Sequence, residues 1–458
     1  MMRRFPIYII ALLLLSVSVR AQYVQTIFTL AGDGLPGFYG DGGSAPACAL
    51  DGPLGVAVDS AGNVYIEDYY NNRVRKVVQD LFGGTITTVA GNGTPGYTGD
   101  GTIATTAEIV PHGVALDKHA NLFISDQNSS VIRRVDAKTQ LISTYAGYNG
   151  GYGFSGDGGS ARAAKFLDPC GMAVDLKGNL YIADAGNHAI RKVDPSGIIT
   201  TIAGIGGISG PAANGYPATA AYLDSPLAVA VDRWGTIYIT NYHRNVVQKL
   251  DTNNNIWFFA GDTTMGSNGY SGDGGAATLA TLNNPKGLAV DTFGNVYIAD
   301  ADNNVIRMVN TSGIISTVVG NGSAGFGGDL GPVNGCNLHN PFGIAVDVFG
   351  SIYIADANNQ RVRKTYSSWL GVNKVSSSGE KITVYPNPSS GDVIVAGCNT
   401  SDKVLVMDVT GRQVCDTWNV TSAAPQTLPT VALASGVYIL QVLDRSGNKT
   451  QTVKLVKE

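Results

Sequence analysis

PCGMAVDLKGNLYIADAGNHAIRKVDPSGIITTIAG, residues 169–204, is the stretch that decides the fold. Its apolar runs are GMAVD, LYIAD, AIRKV and IITTIAG, and the sequences between them are LKGN, AGNH and DPSG. Short apolar runs bounded by Gly, Asn, Asp and Pro are typical of β-strands joined by tight turns. The stretch therefore predicts four consecutive antiparallel strands.

The same four-strand unit recurs along the chain. Its copies begin at prolines that are 56 to 59 residues apart, namely Pro53, Pro111, Pro169, Pro226, Pro285 and Pro341. A fixed period of this length indicates a repeat architecture, and four antiparallel strands per repeat are typical of a propeller blade. We therefore predict an all-β chain whose main domain is a six-bladed β-propeller.

The two ends of the repeat region predict how the propeller closes. The last copy ends after three strands, at RVRKTY, whereas QTIFTLAG at residues 25–32 is a strand that no other three precede. The N-terminal strand is therefore expected to complete the sixth blade. Closure of this kind removes an open sheet edge that would invite aggregation.

The repeat pattern GVAVDxxGNVYIAD, followed by NNRVRKV and TITTVAGNG, resembles the NHL-repeat family of six-bladed propellers. The resemblance covers residues 22–369. It implies the fold, but the family includes binding modules, RNA binders, extracellular adhesion modules and a lyase that uses a His-ligated zinc. The resemblance therefore does not select one activity.

The first residues have the pattern of an export signal. Arg3 and Arg4 precede an apolar run that reaches about Val19, and Ala21 is a small residue at the position before a cleavage site. This pattern predicts a signal peptide at residues 1–21. The alternative is a membrane anchor, but the run is short for a bilayer, which needs about 20 apolar residues. No later segment is apolar enough to span, so we expect no membrane span in the mature chain.

The period stops after residue 369. A Ser-rich linker at 370–380 is followed by alternating strands that predict a small Ig-like β-sandwich at 381–458. This segment resembles the C-terminal sorting domain of the type IX secretion system, which implies the secretion machinery as a partner and an extracellular or outer-surface location. An ordinary Ig-like binding domain is the alternative. The residues that carry the resemblance are Tyr385, Pro386, Asn387, Pro388, Gly411, Gly436, Tyr438 and Lys454.

Composition excludes some classes of protein. Charged residues are 14% of the chain and the formal net charge is −4, so the basic surface of a nucleic-acid binder is missing. The chain has 5 cysteines, an odd number, so at least one thiol pairs elsewhere or not at all. Their pairing is left open, and so is the oligomeric state.

An acidic and a basic residue recur together in the repeats. Five copies end the second strand with Asp and carry Arg seven positions later, and the fourth copy replaces both, with Asn241 and Gln248. The joint loss predicts cross-strand ion pairs with a structural role, because losing one partner would leave a charge unpaired. The predicted pairs are Asp68–Arg75, Asp126–Arg133, Asp184–Arg191, Asp300–Arg307 and Asp356–Arg363.

A glycine-rich motif, GFSGDGG at residues 153–159, recurs in the connections between repeats. Where SARAAKFL or AATLATL follows, we interpret Asp157 and Asp273 as helix N-caps. Phosphate binding is excluded because no Lys and Ser/Thr follow the loop. Calcium would need six to eight oxygens, which one Asp per copy does not supply.

Candidate binding residues lie on the face that carries these long connections. The residue after each repeat proline should lie at the mouth of the central channel, and three of these residues could do chemistry: His112, Cys170 and Lys286. His188, His243 and His339 fall in loops of the same face. The His–Cys pair could bind a metal, although no ligand set matches the zinc lyase.

These observations predict a secreted or cell-surface binding module for a protein or glycan partner, without catalytic residues. We expect no cofactor and no metal, with calcium and zinc kept as alternatives. The alternative function is a metal-dependent extracellular lyase or hydrolase at the channel mouth.

Overall fold

The computed structural model of the chain describes residues 25–79, 84–211, 214–251, 253–262, 268–367, 383–385, 392–396, 398–408, 413–415, 417–422, 424–430, 433, 436–443 and 449–457. These residues form β-strands, single 3-10 turns and irregular connections, and none is in an α-helix. None of the described segments is a helix long and apolar enough to cross a membrane. The predicted signal peptide and linker lie outside the described residues.

The first strand and three four-stranded antiparallel sheets occupy the N-terminal half of the chain. The first strand is β1 (Gln25–Ala31). Sheet I contains β2 (Pro53–Val58), β3 (Val64–Asp68), β4 (Arg73–Val78) and β5 (Thr85–Ala90) in that order. Sheet II contains β6 (Pro111–Leu116), β7 (Leu122–Asp126), β8 (Val131–Val135) and β9 (Ile142–Ala146). Sheet III contains β10 (Pro169–Val174), β11 (Leu180–Asp184), β12 (Ala189–Val193) and β13 (Ile199–Ala203).

Three further sheets follow with the same strand order. Sheet IV contains β15 (Pro226–Val231), β16 (Ile237–Asn241), β17 (Val246–Leu250) and β18 (Asn255–Ala260), with the short strand β14 (Tyr216–Pro217) beside β18. Sheet V contains β19 (Pro285–Val290), β20 (Val296–Asp300), β21 (Val305–Val309) and β22 (Ile315–Val319). Sheet VI contains β23 (Pro341–Val346), β24 (Ile352–Asp356), β25 (Arg361–Ser367) and β1, which pairs antiparallel with β25 from Gln25 opposite Ser367.

The 3-10 turns lie in the connections. Within the described residues they are Ala45–Ala47, Tyr69–Asn71, Ala104–Thr106, Ala161–Ala163, Ala185–Asn187, Ala218–Ala220, Tyr242–Arg244, Ala277–Leu279, Ala301–Asn303, Val333–Gly335 and Ala357–Asn359. Each is three residues long, so none presents the helix N-terminus that the N-cap interpretation of Asp157 and Asp273 requires.

A left-handed residue precedes the third strand of every sheet. These residues are Asn72, Ser130, His188, Asn245, Asn304 and Gln360, with φ between 50° and 56°. Asn tolerates this conformation better than other side chains. Several of them also join two sheets: Asn245 Oδ1 accepts from Asn284 N at 2.8 Å, and Gln360 Oε1 accepts from Gly52 N at 2.7 Å. The second bond joins sheet VI to sheet I.

The first strands of the six sheets contact one another in chain order, β2 to β6 to β10 to β15 to β19 to β23, and β23 contacts β2. The approach is close enough to require a small residue. A Cβ on Gly343 would lie 2.4 Å from the carbonyl oxygen of Leu54. A side chain at Gly343 would therefore push sheet VI away from sheet I.

The core consists of separate apolar layers between neighbouring sheets. One layer joins sheets VI and I, where Tyr353 and Val362 pack with Val56 and Ile66, all nearly inaccessible to solvent. Equivalent layers lie between each of the other consecutive pairs of sheets. Burial of apolar area therefore holds each sheet to its neighbours, together with the intersheet hydrogen bonds described above.

The C-terminal residues form two further sheets. One contains β26 (Thr383–Tyr385), β27 (Val393–Ala396) and β30 (Gln426–Leu428), in that order. The other contains β28 (Lys403–Asp408), β29 (Trp418–Asn419), β31 (Gly436–Leu443) and β32 (Lys449–Lys457), in the order β29-β28-β31-β32. Residues of both sheets share one apolar cluster, which includes Val395 and Leu440.

Four of the eight predicted sorting residues lie in strands of these two sheets. Tyr385 ends β26, Gly436 and Tyr438 lie in β31, and Lys454 lies in β32 opposite Ile439. Pro386, Asn387, Pro388 and Gly411 lie outside the described residues.

Candidate functional site

The glycine-rich motif supplies a carboxylate to a buried arginine of the sheet that follows it. In sheet V, Arg307 Nη2 lies 2.7 Å from Asp273 Oδ1 of the motif GYSGDGG. Arg307 Nη1 lies 3.4 Å from Asp300 Oδ2 at the end of β20, and both of these side chains are fully buried. Arg307 therefore bridges a loop carboxylate and a strand carboxylate.

This geometry corrects the interpretation of Asp157 and Asp273 as helix N-caps. The turns after them, Ala161–Ala163 and Ala277–Leu279, have no side-chain capping bond. Asp157 instead lies 2.9 Å from Arg191. The partner is 34 residues away in the sequence, so the local pattern did not contain it.

The bridge occurs in five of the six sheets. Distances from each arginine to the loop and strand carboxylates are 2.7 and 3.2 Å for Arg75 (Asp41, Asp68), 2.9 and 3.7 Å for Arg133 (Asp100, Asp126), 2.9 and 3.4 Å for Arg191 (Asp157, Asp184), 2.7 and 3.4 Å for Arg307 (Asp273, Asp300), and 2.5 and 3.4 Å for Arg363 (Asp329, Asp356). The five predicted pairs thus lie within ion-pair distance, each with a second carboxylate.

The aromatic residue of the motif covers the same arginine. The ring of Tyr270 lies 5.0 Å from the guanidinium carbon of Arg307, and the ring of Phe154 lies 4.7 Å from that of Arg191. A cation over an aromatic face is attracted by the ring quadrupole. Aromatic, loop Asp, strand Asp and arginine therefore form one unit.

Sheet IV replaces every charged member of this unit. Asn241 Nδ2 donates to Gln248 Oε1 at 2.9 Å, and Asn214 Oδ1 accepts from Phe258 N at 3.0 Å. Pro211 stands where the other motifs have the aromatic. The joint replacement fits a role in holding each loop to its sheet.

A second group of side chains lines a cavity of about 80 Å³ on the axis of the six sheets. His112, Cys170 and Lys286, predicted at the channel mouth, all line it. The rest of the lining is mostly apolar, with Leu54, Leu227 and Phe342 following the other repeat prolines. The cavity has room for a few water molecules.

His112, Cys170 and Asp168 form a compact polar cluster beside this cavity. Cys170 Sγ lies 3.1 Å from His112 Nδ1, and one potential ligand atom from each residue lies within 4.8 Å of the others. Gln127 Nε2 donates to Asp168 Oδ1. Burial lowers the pKa of His112, against the effect of the Asp168 carboxylate, and raises the pKa of the Cys170 thiol well above its usual range.

Glu67 is a buried acid in the same cavity. Its side chain is 1% exposed, and Oε1 has no hydrogen-bond partner among the described residues. Burial raises its pKa well above the usual range, because removal from water disfavours the charged carboxylate. Ser125, Ala183, Thr240, Ala299 and Ala355 occupy the equivalent position in the other repeats.

The remaining predicted histidines do not line the cavity. His188 Nδ1 accepts from Ser225 N at 3.1 Å, which is the same intersheet position that Asn245 and Gln360 occupy. His243 is exposed, with Nδ1 3.2 Å from Asp224 Oδ1. His339 donates its backbone N–H to Asp356 Oδ1. Of the six predicted binding residues, three therefore share one cavity.

A row of aromatic contacts leads from the surface to the cavity. Tyr70 is 67% exposed and its ring centroid lies 4.9 Å from that of Tyr69. Tyr69 lies 5.7 Å from His112, and His112 lies 6.5 Å from Phe342. Lys286 Nζ lies 4.6 Å from the Phe342 ring centre. We call Tyr70, Tyr69, His112, Phe342 and Lys286 the mouth row.

Alignment of the repeats could have found Glu67, because it is the only acid at its repeat position. Asp168 precedes the repeat proline, as Ser225, Asn284 and Asn340 do, and is the only acid among these four. Tyr69, in contrast, became a candidate only through its ring contact with His112.

Family models match three parts of the chain. The NHL repeat matches residues 50–77, the teneurin NHL domain matches 151–212 and 245–327, and the secretion system C-terminal sorting domain matches 383–458. Both predicted resemblances are confirmed by these matches. The sorting domain indicates the secretion machinery as a partner and a secreted or cell-surface protein.

Similar proteins share only part of their length with this chain. The Arabidopsis thaliana protein SUPPRESSOR OF QUENCHING 1, chloroplastic, is 28% identical over 68% of this chain and 30% of the relative. Human Teneurin-4 is 30% identical over 45% of this chain and 8% of the relative. The chain thus spans less than a third of either protein.

Solved structures show the fold. A structural-genomics protein from Bacteroides thetaiotaomicron has a TM-score of 0.55 at 19% identity, covering 74% of this chain and 75% of that chain. An auxiliary nutrient binding protein from the same organism has a TM-score of 0.53 at 15% identity, covering 75% and 77%. Together with the NHL matches, these likenesses show a β-propeller fold.

Proposed function

We propose that this chain, an NHL-type propeller with a C-terminal secretion sorting domain, is a secreted or cell-surface binding module for a protein or glycan partner. The proposal rests on the mouth row. It offers an exposed tyrosine at one end and a lysine at the other, on the face of the long loops. Tyrosine and other aromatics are enriched in recognition surfaces because they bury large area with few rotatable bonds.

The proposed organisation has four segments. Residues 1–21 are a signal peptide, 22–369 a six-bladed propeller that the N-terminal strand closes, 370–380 a linker, and 381–458 an Ig-like sorting domain. The contact of β23 with β2 and the bond from Gly52 to Gln360 support closure. The apolar cluster shared by the two C-terminal sheets supports a sandwich.

Binding through the mouth row is tested with Tyr70→Ala. Glycan partners are identified by probing a glycan array with the propeller, and protein partners by capturing extracellular proteins of the producing cells on the immobilised propeller. The affinity of each partner is then measured. Tyr70→Ala should weaken binding about tenfold or more, which is the effect of losing an aromatic hot spot.

The control is Phe293→Ala. Phe293 is 71% exposed, like Tyr70, but lies in the turn between β19 and β20 at the opposite ends of the strands. The Phe293→Ala variant should bind the partner with the same affinity as the parent. Equal affinity of the Tyr70→Ala variant and the parent would reject the mouth row as the binding site.

Export is tested by removing the tail. In a host with a type IX secretion system, a chain that ends at Gly371 should fold but remain in the periplasm, since the propeller layers do not include tail residues. Immunoblots of the periplasmic and external fractions measure the distribution.

The matched control joins residues 381–458 to an unrelated periplasmic reporter, which should then appear outside the cell. Efficient export of the truncated chain would contradict the proposed role of the tail.

The second candidate is a metal-dependent extracellular lyase or hydrolase at the channel mouth. The cluster of His112, Asp168 and Cys170 favours it, because such an enzyme needs a metal site beside a cavity.

A further inference from the structure

The cluster of His112, Asp168 and Cys170 has the composition and spacing of a metal site. The residues come from two neighbouring sheets: His112 lies in β6, Cys170 lies in β10, and Asp168 precedes β10 by one residue. Their potential ligand atoms lie within 4.8 Å of one another. Thiolate, imidazole and carboxylate are the three protein ligand types that zinc binds.

The spacing of sulfur and nitrogen agrees with two ligands of one ion. Zn–S and Zn–N bonds of about 2.3 and 2.0 Å at a tetrahedral angle place the two ligand atoms about 3.5 Å apart. Cys170 Sγ and His112 Nδ1 are 3.1 Å apart. A shift of a few tenths of an ångström would therefore admit the ion.

The residue types occur together only at this junction. The residues equivalent to Cys170 and His112 at the other junctions are Leu54, Leu227, Lys286 and Phe342. The fold therefore does not require a thiol beside an imidazole here.

A neighbouring side chain orients the carboxylate. Gln127 Nε2 donates to Asp168 Oδ1, and Gln127 Oε1 accepts from Tyr69 at 3.2 Å. Outer partners of this kind hold metal ligands in place. Asp168 has φ of 55°, like Asn284 and Asn340 at 55° and 53°, so the loop and not the carboxylate sets its backbone conformation.

Chemistry selects zinc over calcium. Calcium takes six to eight oxygen ligands, whereas this cluster offers one sulfur, one nitrogen and one carboxylate. Three protein ligands leave a fourth position of a tetrahedral ion for water or a bound molecule. The adjoining cavity of about 80 Å³ has room for it.

We propose that His112, Asp168 and Cys170 bind one zinc ion at the mouth of the axial cavity. The site goes beyond partner binding and does not depend on it, because zinc binding is measured without any partner.

The test uses the mature chain, stripped of metal with a chelator, and titrates it with Co²⁺ in place of Zn²⁺. A cobalt–thiolate charge-transfer band should grow to about one equivalent per chain and disappear when Zn²⁺ is added. Cys170→Ser should remove the band, and Asp168→Asn should weaken Co²⁺ binding. Gln127→Ala should weaken binding by about 10- to 100-fold, as expected for an outer partner.

Cys336→Ala is the matched control. Cys336 is also fully buried in the propeller, but its Sγ donates to Val333 O at 3.1 Å, away from the cavity. This variant should keep the band. Melting curves verify that each variant is folded, and Asp168→Asn, which keeps the size of the side chain, tests the site if Cys170→Ser is unstable. Absence of a band in the folded parent, or a band that persists in folded Cys170→Ser, would overturn the proposal.

Discussion

Replacing Arg307 with glutamine should lower the free energy of unfolding by about 3–5 kcal/mol, the usual cost of removing one partner from a buried ion pair. Arg307 is fully buried and lies between Asp273 and Asp300. Without it, the buried carboxylate of Asp300 loses the positive charge beside it. Denaturant unfolding of the parent and the variant measures the loss.

The triple variant Asp273→Asn, Asp300→Asn and Arg307→Gln should lose less than half of the free energy of unfolding that Arg307→Gln alone loses. It reproduces Asn214, Asn241 and Gln248 of sheet IV, where amides replace every charge. Asp300→Asn alone should cost about 1–3 kcal/mol, since Arg307 keeps Asp273. A triple variant as unstable as Arg307→Gln would show that the arginine stabilises through packing and not through charge.

Removal of residues 22–32 should abolish the monomeric state of the propeller. The deletion takes away β1, with Ile27 and Leu30, which are 0% and 1% exposed. Loss of one buried aliphatic side chain costs about 2–5 kcal/mol. The whole free energy of unfolding of a typical domain is only about 5–15 kcal/mol. It also exposes the ladder edge of β25. Size-exclusion chromatography with light scattering and melting curves measure both effects.

A permuted chain provides the control. Because Gln25 lies opposite Ser367 in an antiparallel pair, a short Asn-Gly turn can join Ser367 to Gln25 as a hairpin. A chain of residues 33–367, this turn and residues 25–32 should remain monomeric and melt near the parent. If the deleted chain behaves like the parent, or the permuted chain aggregates like the deleted one, β1 is not the closing strand.

Repetition made most of the strands predictable. The repeat from Pro169 predicts four strands, and all four are present as β10 to β13. Because the same pattern recurs, a strand that is ambiguous in one repeat can be assigned from the equivalent residues of the other repeats. The pairing of the N-terminal strand with the last repeat was also predictable, since RVRKTY lacked a fourth strand and QTIFTLAG lacked a sheet.

Features that depend on contacts between residues far apart in the sequence could not be predicted from it. The helix predicted after Asp157 is a turn of three residues, because the loop docks on a sheet and Asp157 bonds Arg191. A window of eight residues cannot distinguish such a turn from a helix. Cys170 and His112 were predictable from their repeat position. The repeat alignment also singles out Asp168 as an acid at its position, but only the loop conformation shows that its carboxylate lies beside them.

The position of β25 decides how sheet VI bears mechanical load. β25 is hydrogen-bonded on both sides, to β24 and to β1, and the tail follows its last residue, Ser367. Tension applied through the residues after Ser367 therefore acts on two ladders at once, whereas an outermost strand could be peeled away from a single neighbour. β1 does not itself carry the tension, but its hydrogen bonds hold the loaded strand β25 along its outer edge. A propeller held by its C-terminal side would thus be reinforced at the strand from which it is pulled.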